Sequence, residues 1–85
     1  MRIKELTGEV IYRVQVVLSE RFDEGNEVVR TVWLEGQNDT EDYKENIIKV
    51  LTNKYQGWYY IEEITITGLA FSDSDTFYSL EEKIK

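Results

Sequence analysis

The chain has 85 residues and a formal net charge of −7, with 10 Lys and Arg against 17 Asp and Glu. This length predicts one compact domain over residues 1–85, and the hydrophobic content of 41% is that of an ordinary globular chain. The sequence contains no Cys and no His, which excludes a disulfide scaffold and nearly all structural zinc sites. No apolar run could span a membrane and residues 1–6 lack the apolar core of a signal peptide, so we expect a cytoplasmic protein.

Two segments with strand character predict a β-hairpin. Residues 10–18 place an apolar side chain at every even position, which is the two-residue period of a strand, and residues 27–35 form a second run rich in Val. Residues 23–25 (Asp-Glu-Gly) fit a three-residue hairpin loop with Gly in the left-handed region. This loop would place Arg13 opposite Glu35, an opposite-charge pair, whereas a longer loop would change the register.

A helix is predicted from about residue 40 to about residue 56. Carboxylates crowd its first turn, as the helix dipole favours, and Gly57 is a natural stop in the left-handed conformation. Apolar side chains recur at helical spacing and form one stripe. The stripe comprises Tyr43, Ile47, Ile48, Val50, Leu51 and Tyr55.

The rest of the chain predicts one clear strand and one short strand. Residues 58–67 form the third strand, whose alternation slips near Glu62 and Glu63 and so predicts a β-bulge. Residues 76–80 predict the fourth strand, and residues 81–85 a frayed tail. The predicted fold class is α+β: a small antiparallel sheet of three or four strands (β-β-α-β-(β)) with one helix packed on one face, in the simplest strand order 2-1-3-4.

The sequence offers no clear catalytic, metal or cofactor site. Without His, a Ser nucleophile would need Lys or a carboxylate as its base, and Ser72 and Ser74 stand beside Asp residues that disfavour a developing negative charge. Asp73 and Asp75 lack the offsets of a calcium loop. We therefore expect no enzyme, no cofactor and no metal. An enzyme that uses carboxylates or tyrosines is an alternative, which would need a pocket with two converging carboxylates.

Direct nucleic-acid binding is not expected either. Such binding depends on cations that displace counterions, whereas this chain carries a net charge of −7 and its basic residues are scattered. Trp58, Tyr59 and Tyr60 could stack on bases. Packing of these aromatic side chains in the core is the better interpretation.

One face of the predicted sheet is too apolar for a face that only meets solvent. A single helix covers one face, and the even positions of the first strand belong to it. The opposite face would carry Val17, Val29 and Trp33 together with Arg13. It is either a surface for a partner or a second copy, or a face covered by the tail or the fourth strand. If it is an interface, Trp33 and Arg13 are its expected anchors, since Trp and Arg often dominate binding energy.

Carboxylates occur in clusters that could meet a basic cleft. Asp23, Glu24 and Glu27 lie at the hairpin tip, and Asp39, Glu41 and Asp42 lie at the helix start. A small acidic protein can occupy a cleft made for nucleic acid as a decoy. The alternative is that these carboxylates only confer solubility, because −7 is an ordinary charge for a small domain.

In size, charge and compactness the chain resembles the small acidic inhibitors of phages and mobile elements, including anti-CRISPR and anti-restriction proteins. These inhibitors share no common motif, so the resemblance transfers no functional residue. We expect a non-enzymatic protein-binding domain, of the inhibitor or decoy type, that occupies a basic site on a nucleic-acid-handling protein. The alternative is a structural or self-associating module that forms a homodimer through the exposed sheet face.

Overall fold

A computed structural model of the protein describes residues 9–23, 25–37, 43–71 and 75–85, and structural statements below concern these residues. Four strands and one helix follow in the order β1 (Glu9–Glu20), β2 (Glu27–Gln37), α1 (Tyr43–Tyr55), β3 (Tyr59–Phe71) and β4 (Phe77–Lys83). The strands form one antiparallel sheet in the order β2-β1-β3-β4. The predicted α+β class, with a small antiparallel sheet and one helix, is confirmed.

The core lies between α1 and the face of the sheet formed by the even positions of β1. Alternate residues of a strand point to one face, and the apolar ones here are removed from solvent together with two residues of the helix. The buried side chains are Val10, Tyr12, Val14, Val16, Leu18, Ile47, Leu51, Ile64, Ile66 and Phe71. Val50 of the predicted stripe is 49% exposed, so the buried face of α1 is narrower than predicted.

The hairpin register differs from the predicted one by two residues. Arg13 lies opposite Trp33 and Val17 lies opposite Val29. The predicted pairing of Arg13 with Glu35 is therefore wrong. A shift of two residues keeps every side chain on its face of the sheet, so the predicted division into a core face and an opposite face is retained.

The shift arises because the hairpin loop is longer than three residues. The Glu20 amide donates to the Asn26 carbonyl at 3.0 Å and closes the hairpin there. The next amide, that of Arg21, donates instead to the Trp58 carbonyl at 3.0 Å, just before β3. Gly25 has φ +94° and makes the return turn, as the sequence predicts for a left-handed loop Gly. The loop thus connects Glu20 to Asn26.

The predicted bulge in β3 is confirmed. Val17 lies opposite Glu63 while its neighbour Leu18 lies opposite Ile61, which leaves Glu62 as the additional residue. The bulge returns the isoleucines of β3 to the core face, as the slipped alternation predicts.

A second bulge, which the sequence analysis does not predict, interrupts β3 further along. Arg13 lies opposite Gly68 while Val14 lies opposite Ile66, so Thr67 is the additional residue. The apolar pattern carries a signal for this bulge, because Ile64 and Ile66 lie at even positions whereas Leu69 and Phe71, on the same face, lie at odd positions.

The predicted frayed tail over residues 81–85 is wrong, because β4 continues to Lys83 and the last residues are bonded to β3. The Ile84 amide donates to the Ile64 carbonyl at 2.9 Å, and the Ile64 amide donates to the Lys85 carbonyl at 2.9 Å. The Ile84 side chain packs against the core. Apolar burial and backbone pairing together hold the end of the chain.

Both ends of the predicted helix can be compared with the structure. Gly57 has φ +95° just after α1, which confirms it as the helix stop. The predicted start near residue 40 lies outside the described residues, in which the helix begins at Tyr43.

Candidate functional site

The sheet face opposite α1, here called the open face, carries the odd positions of β1 and the residues that pair with them. Val29 and Trp33 on this face are 52% and 56% exposed. The fourth strand does not fold over them, because β4 pairs with β3 and extends the sheet sideways. Residues of the open face include Ile11, Arg13, Gln15, Val17, Val29, Thr31, Trp33, Ala70 and Phe77.

An aromatic and cationic cluster crosses the open face from β2 to β4. The Trp33 and Phe77 ring centroids are 6.0 Å apart, and the Arg13 guanidinium carbon lies 4.7 Å from the Phe77 centroid, in the range of a cation–π contact. The Phe77 ring lies over Gly68, where a Cβ atom would overlap it.

The unpredicted bulge residue Thr67 fixes the Arg13 side chain. Arg13 Nε donates to Thr67 Oγ1 at 2.8 Å and Arg13 Nη2 donates to the Thr67 carbonyl at 3.0 Å. The Thr67 hydroxyl donates in turn to the Arg13 carbonyl at 3.2 Å. Arg13 is therefore half-buried and engaged within the molecule, where its guanidinium contacts the Phe77 ring. Trp33 and Val29 are large apolar side chains of the open face that remain more than half exposed.

The structure brings together the apolar residues of the predicted interface. Arg13 with Trp33, and Val17 with Val29, are directly opposed pairs on adjacent strands. Glu27 lies opposite Ser19 on the same face, toward the hairpin loop. These predicted residues form one continuous surface over β1 and β2.

The predicted acidic residues are only partly described. Asp23 and Glu27 are exposed near the hairpin loop. The positions Glu24, Asp39, Glu41 and Asp42 lie outside the described residues. The β3 bulge adds Glu62 to this end of the sheet, where its carboxylate accepts a hydrogen bond of 2.7 Å from the Ser19 hydroxyl.

The hairpin loop and the start of β3 enclose a depression of about 310 Å³, here called the end pocket. Its lining consists of aromatic and acidic side chains: Glu20, Phe22, Asp23, Trp58 and Tyr59. The prediction that Trp58 and Tyr60 pack in the core is wrong, since they are 70% and 52% exposed. A Phe inside a polar loop and a Trp directly after a helix stop were the sequence signals for this pocket.

Two stacked tyrosines connect α1 to β1 on the core side of the sheet. The Tyr12 and Tyr43 rings stack with centroids 5.6 Å apart. Burial raises the pKa of Tyr12 above its ordinary value of 10.0, and Tyr43 and Glu82 act in the same direction. Burial followed by the nearby Glu82 charge raises the pKa of Tyr43, which Lys44 partly offsets. A hydrogen bond to Glu82 raises the pKa of Lys44.

The described residues form neither a metal-binding group nor a membrane-spanning helix. No group of His, Cys, Asp and Glu within the described ranges could hold a metal ion. The helix in that part of the chain is too short and too polar to cross a membrane. The end pocket does hold two carboxylates, Glu20 and Asp23, beside aromatic rings. That composition suits attraction of a cation.

Comparison of the chain with protein-family models, with curated proteins and with solved structures finds no match. The class that the structure defines is a small α+β domain with a four-stranded antiparallel sheet and one helix.

Proposed function

We propose that this domain acts by binding another protein through its open face, without catalysing a reaction. The observation that carries the proposal is the exposure of Trp33 and Val29, at 56% and 52%, on one face of the sheet, where Trp33 also contacts Phe77. Large apolar side chains grouped on one face favour an interface, and Trp is enriched among residues that dominate binding energy. The Trp33 ring packs against Phe77, which Arg13 contacts in turn, so little side-chain freedom is lost on binding.

The partner that suits this surface carries a basic patch. The net charge of −7 steers a positively charged protein toward the domain, and exposed Glu27 lies on the open face beside Val29. A basic site on a nucleic-acid-handling protein has this character, so an inhibitor or decoy that occupies such a site is the specific form of the proposal.

A second candidate function is self-association through the same face and the neighbouring sheet edge. Within the described residues β2 is an edge strand of 11 residues without Pro, and unpaired edges of this kind can pair with a second copy. Val29 and Trp33 lie on that strand. Pairing of two β2 edges would extend the sheet, and packing of two open faces against each other would cover both side chains.

The test replaces Trp33 with Glu, and Val50→Glu is its matched control. Both positions are about half exposed, at 56% and 49%, and Val50 lies on the helix. A carboxylate at position 33 would lie opposite Arg13, and this opposite-charge pair limits the loss of folding stability. Affinity capture from the cell of origin with quantitative mass spectrometry should yield a basic protein that is retained by the wild type and by Val50→Glu and lost with Trp33→Glu. Its binding should weaken as salt is raised.

Sedimentation over a wide concentration range separates the two candidates. A wild-type dimer that Trp33→Glu dissociates, and Val50→Glu does not, favours self-association. A wild-type monomer removes that candidate. A monomer whose captured proteins are the same for all three chains contradicts binding through the open face.

A further inference from the structure

Phe22 and Trp58 form much of the end pocket, and they are the two most exposed large apolar side chains among the described residues. Phe22 is 78% exposed and Trp58 is 70% exposed. Their ring centroids are 5.9 Å apart at an interplanar angle of 77°, an edge-to-face pair. Leaving a Phe side chain in water forgoes about 1.5–3 kcal/mol of burial. Two such side chains in contact with each other and with solvent therefore indicate a surface that a ligand covers.

Main-chain hydrogen bonds fix the walls of the pocket relative to each other. The Arg21 amide donates to the Trp58 carbonyl, which ties the hairpin loop to the start of β3. The Glu20 amide donates to the Asn26 carbonyl and closes the loop from the other side. The pocket thus exists before any ligand binds, which lowers the entropic cost of binding.

The polar groups of the pocket carry negative charge. Glu20 and Asp23 line it, and its lining contains no Lys or Arg. Asn26 Nδ2 donates to Asp23 Oδ2 at 2.7 Å and orients that carboxylate. Two carboxylates repel an anion, and covering them with an apolar group would remove their hydration without replacing it. The electrostatics of the pocket therefore select a cation.

We propose that the end pocket binds the guanidinium group of an arginine side chain on a basic partner protein. The face of an aromatic ring attracts a cation, and a planar guanidinium stacks on such a ring while it donates paired hydrogen bonds to carboxylates. The volume of about 310 Å³ is at the lower end of the range for ligand sites and suits one side chain. The lining residues do not belong to the open face, so the pocket is a second contact point, separate from the proposed open-face interface.

The experiment follows the Trp58 indole N–H signal by NMR during titration with the peptide acetyl-Gly-Arg-Gly-amide. We expect a saturable shift of that signal and of the Phe22 and Asp23 backbone amides. The same peptide with citrulline, which is neutral and similar in shape, should give no saturable shift. Asp23→Asn should weaken arginine binding about three- to tenfold, since it removes one charge-assisted contact, and Trp58→Ala should abolish it.

Two controls identify the source of the effect. Asp75→Asn makes the same charge change at an exposed carboxylate outside the pocket and should retain the wild-type affinity. Trp33→Glu should also retain it, so failure of the open-face proposal and failure of this one are distinguished. A lysine peptide that binds as tightly as the arginine peptide would contradict guanidinium selection. The proposal is overturned by an absent saturable shift, by equal binding of citrulline, or by equal weakening from Asp75→Asn and Asp23→Asn. If the NMR spectrum shows that Trp58→Ala does not fold, the change in arginine affinity caused by Asp23→Asn tests the proposal instead.

Discussion

The absence of a Cβ atom at Gly68 allows the Phe77 ring to occupy its position on the open face. Gly68 is buried because the Phe77 ring occupies the space of a side chain, and a Cβ atom there would overlap the ring. The ring is 37% exposed and contacts Arg13 and Trp33. Displacing it would therefore remove the support of the exposed Trp33.

We expect Gly68→Ala to destabilise the wild-type domain by about 1–3 kcal/mol, the usual cost of overpacking. In a Phe77→Ala background the clash is gone, and Ala in a strand should be more stable than Gly by about 0.5–1 kcal/mol. The sign of the Gly68→Ala effect should thus reverse between the two backgrounds. Urea unfolding of the four proteins measures this double-mutant cycle. A cost that is equal in both backgrounds would show that the Phe77 ring is not what excludes a side chain at position 68.

The sequence predicts side-chain placement where one physical signal dominates. The open-face position of Trp33 follows from its odd parity in a strand, which survives any even shift of register. The internal engagement of Arg13 depends on Thr67 at the second bulge. The change of parity between Ile66 and Leu69 marks that bulge, but it does not predict that Thr67 bonds to Arg13. The prediction placed Trp58 in the core because apolar side chains are usually buried there.

At the scale of elements, local signals predict strands and helix ends well, and pairings between elements poorly. Gly57 stops the helix and the slip near Glu62 marks a bulge, and both signals lie within a few residues. The hairpin register depends on the Arg21 amide bonding to Trp58, more than 30 residues away. The end of β4 also depends on a distant strand. Its polar residues 81–83 predict a tail from the sequence, whereas in the structure this end of β4 pairs with β3.

The end of the chain provides a test at this scale. Removal of residues 84–85 should lower the free energy of unfolding by about 1–3 kcal/mol, because three backbone hydrogen bonds with Ile64 and the packing of Ile84 are lost. Lys85→Ala keeps the backbone bonds and should cost under about 0.5 kcal/mol, as an exposed surface change does. Thermal and urea unfolding give both values. If the truncated chain and Lys85→Ala were equally stable, the last residues would contribute nothing to the fold.

The whole molecule consists of two layers with different properties. On the core side, Tyr12 of β1, Tyr43 of α1 and Glu82 of β4 join three of the elements. The open face and the end pocket carry most of the exposed aromatic surface and belong to the sheet and its hairpin. Changes at exposed side chains of the open face that support no other residue should therefore affect binding more than folding. Trp33→Glu, for instance, should alter partner binding with little effect on unfolding.

The core-side tyrosines predict how stability depends on pH. Burial raises the pKa of both Tyr12 and Tyr43 above 10.0, so the folded state holds these protons more tightly than the unfolded state. Their contribution to stability is fully present below pH 10 and is lost as pH rises through their folded-state pKa values. Lys44, whose pKa is raised by its hydrogen bond to Glu82, changes stability in the same direction. The free energy of unfolding obtained from urea titrations should fall as pH rises from 9 through the pKa range of the tyrosines, and less steeply in Tyr12→Phe. Ile66→Val, which costs about 0.5–1.5 kcal/mol without touching a titratable group, should shift the whole curve and keep its slope. A slope in Tyr12→Phe identical to that of the wild type would contradict this role of Tyr12.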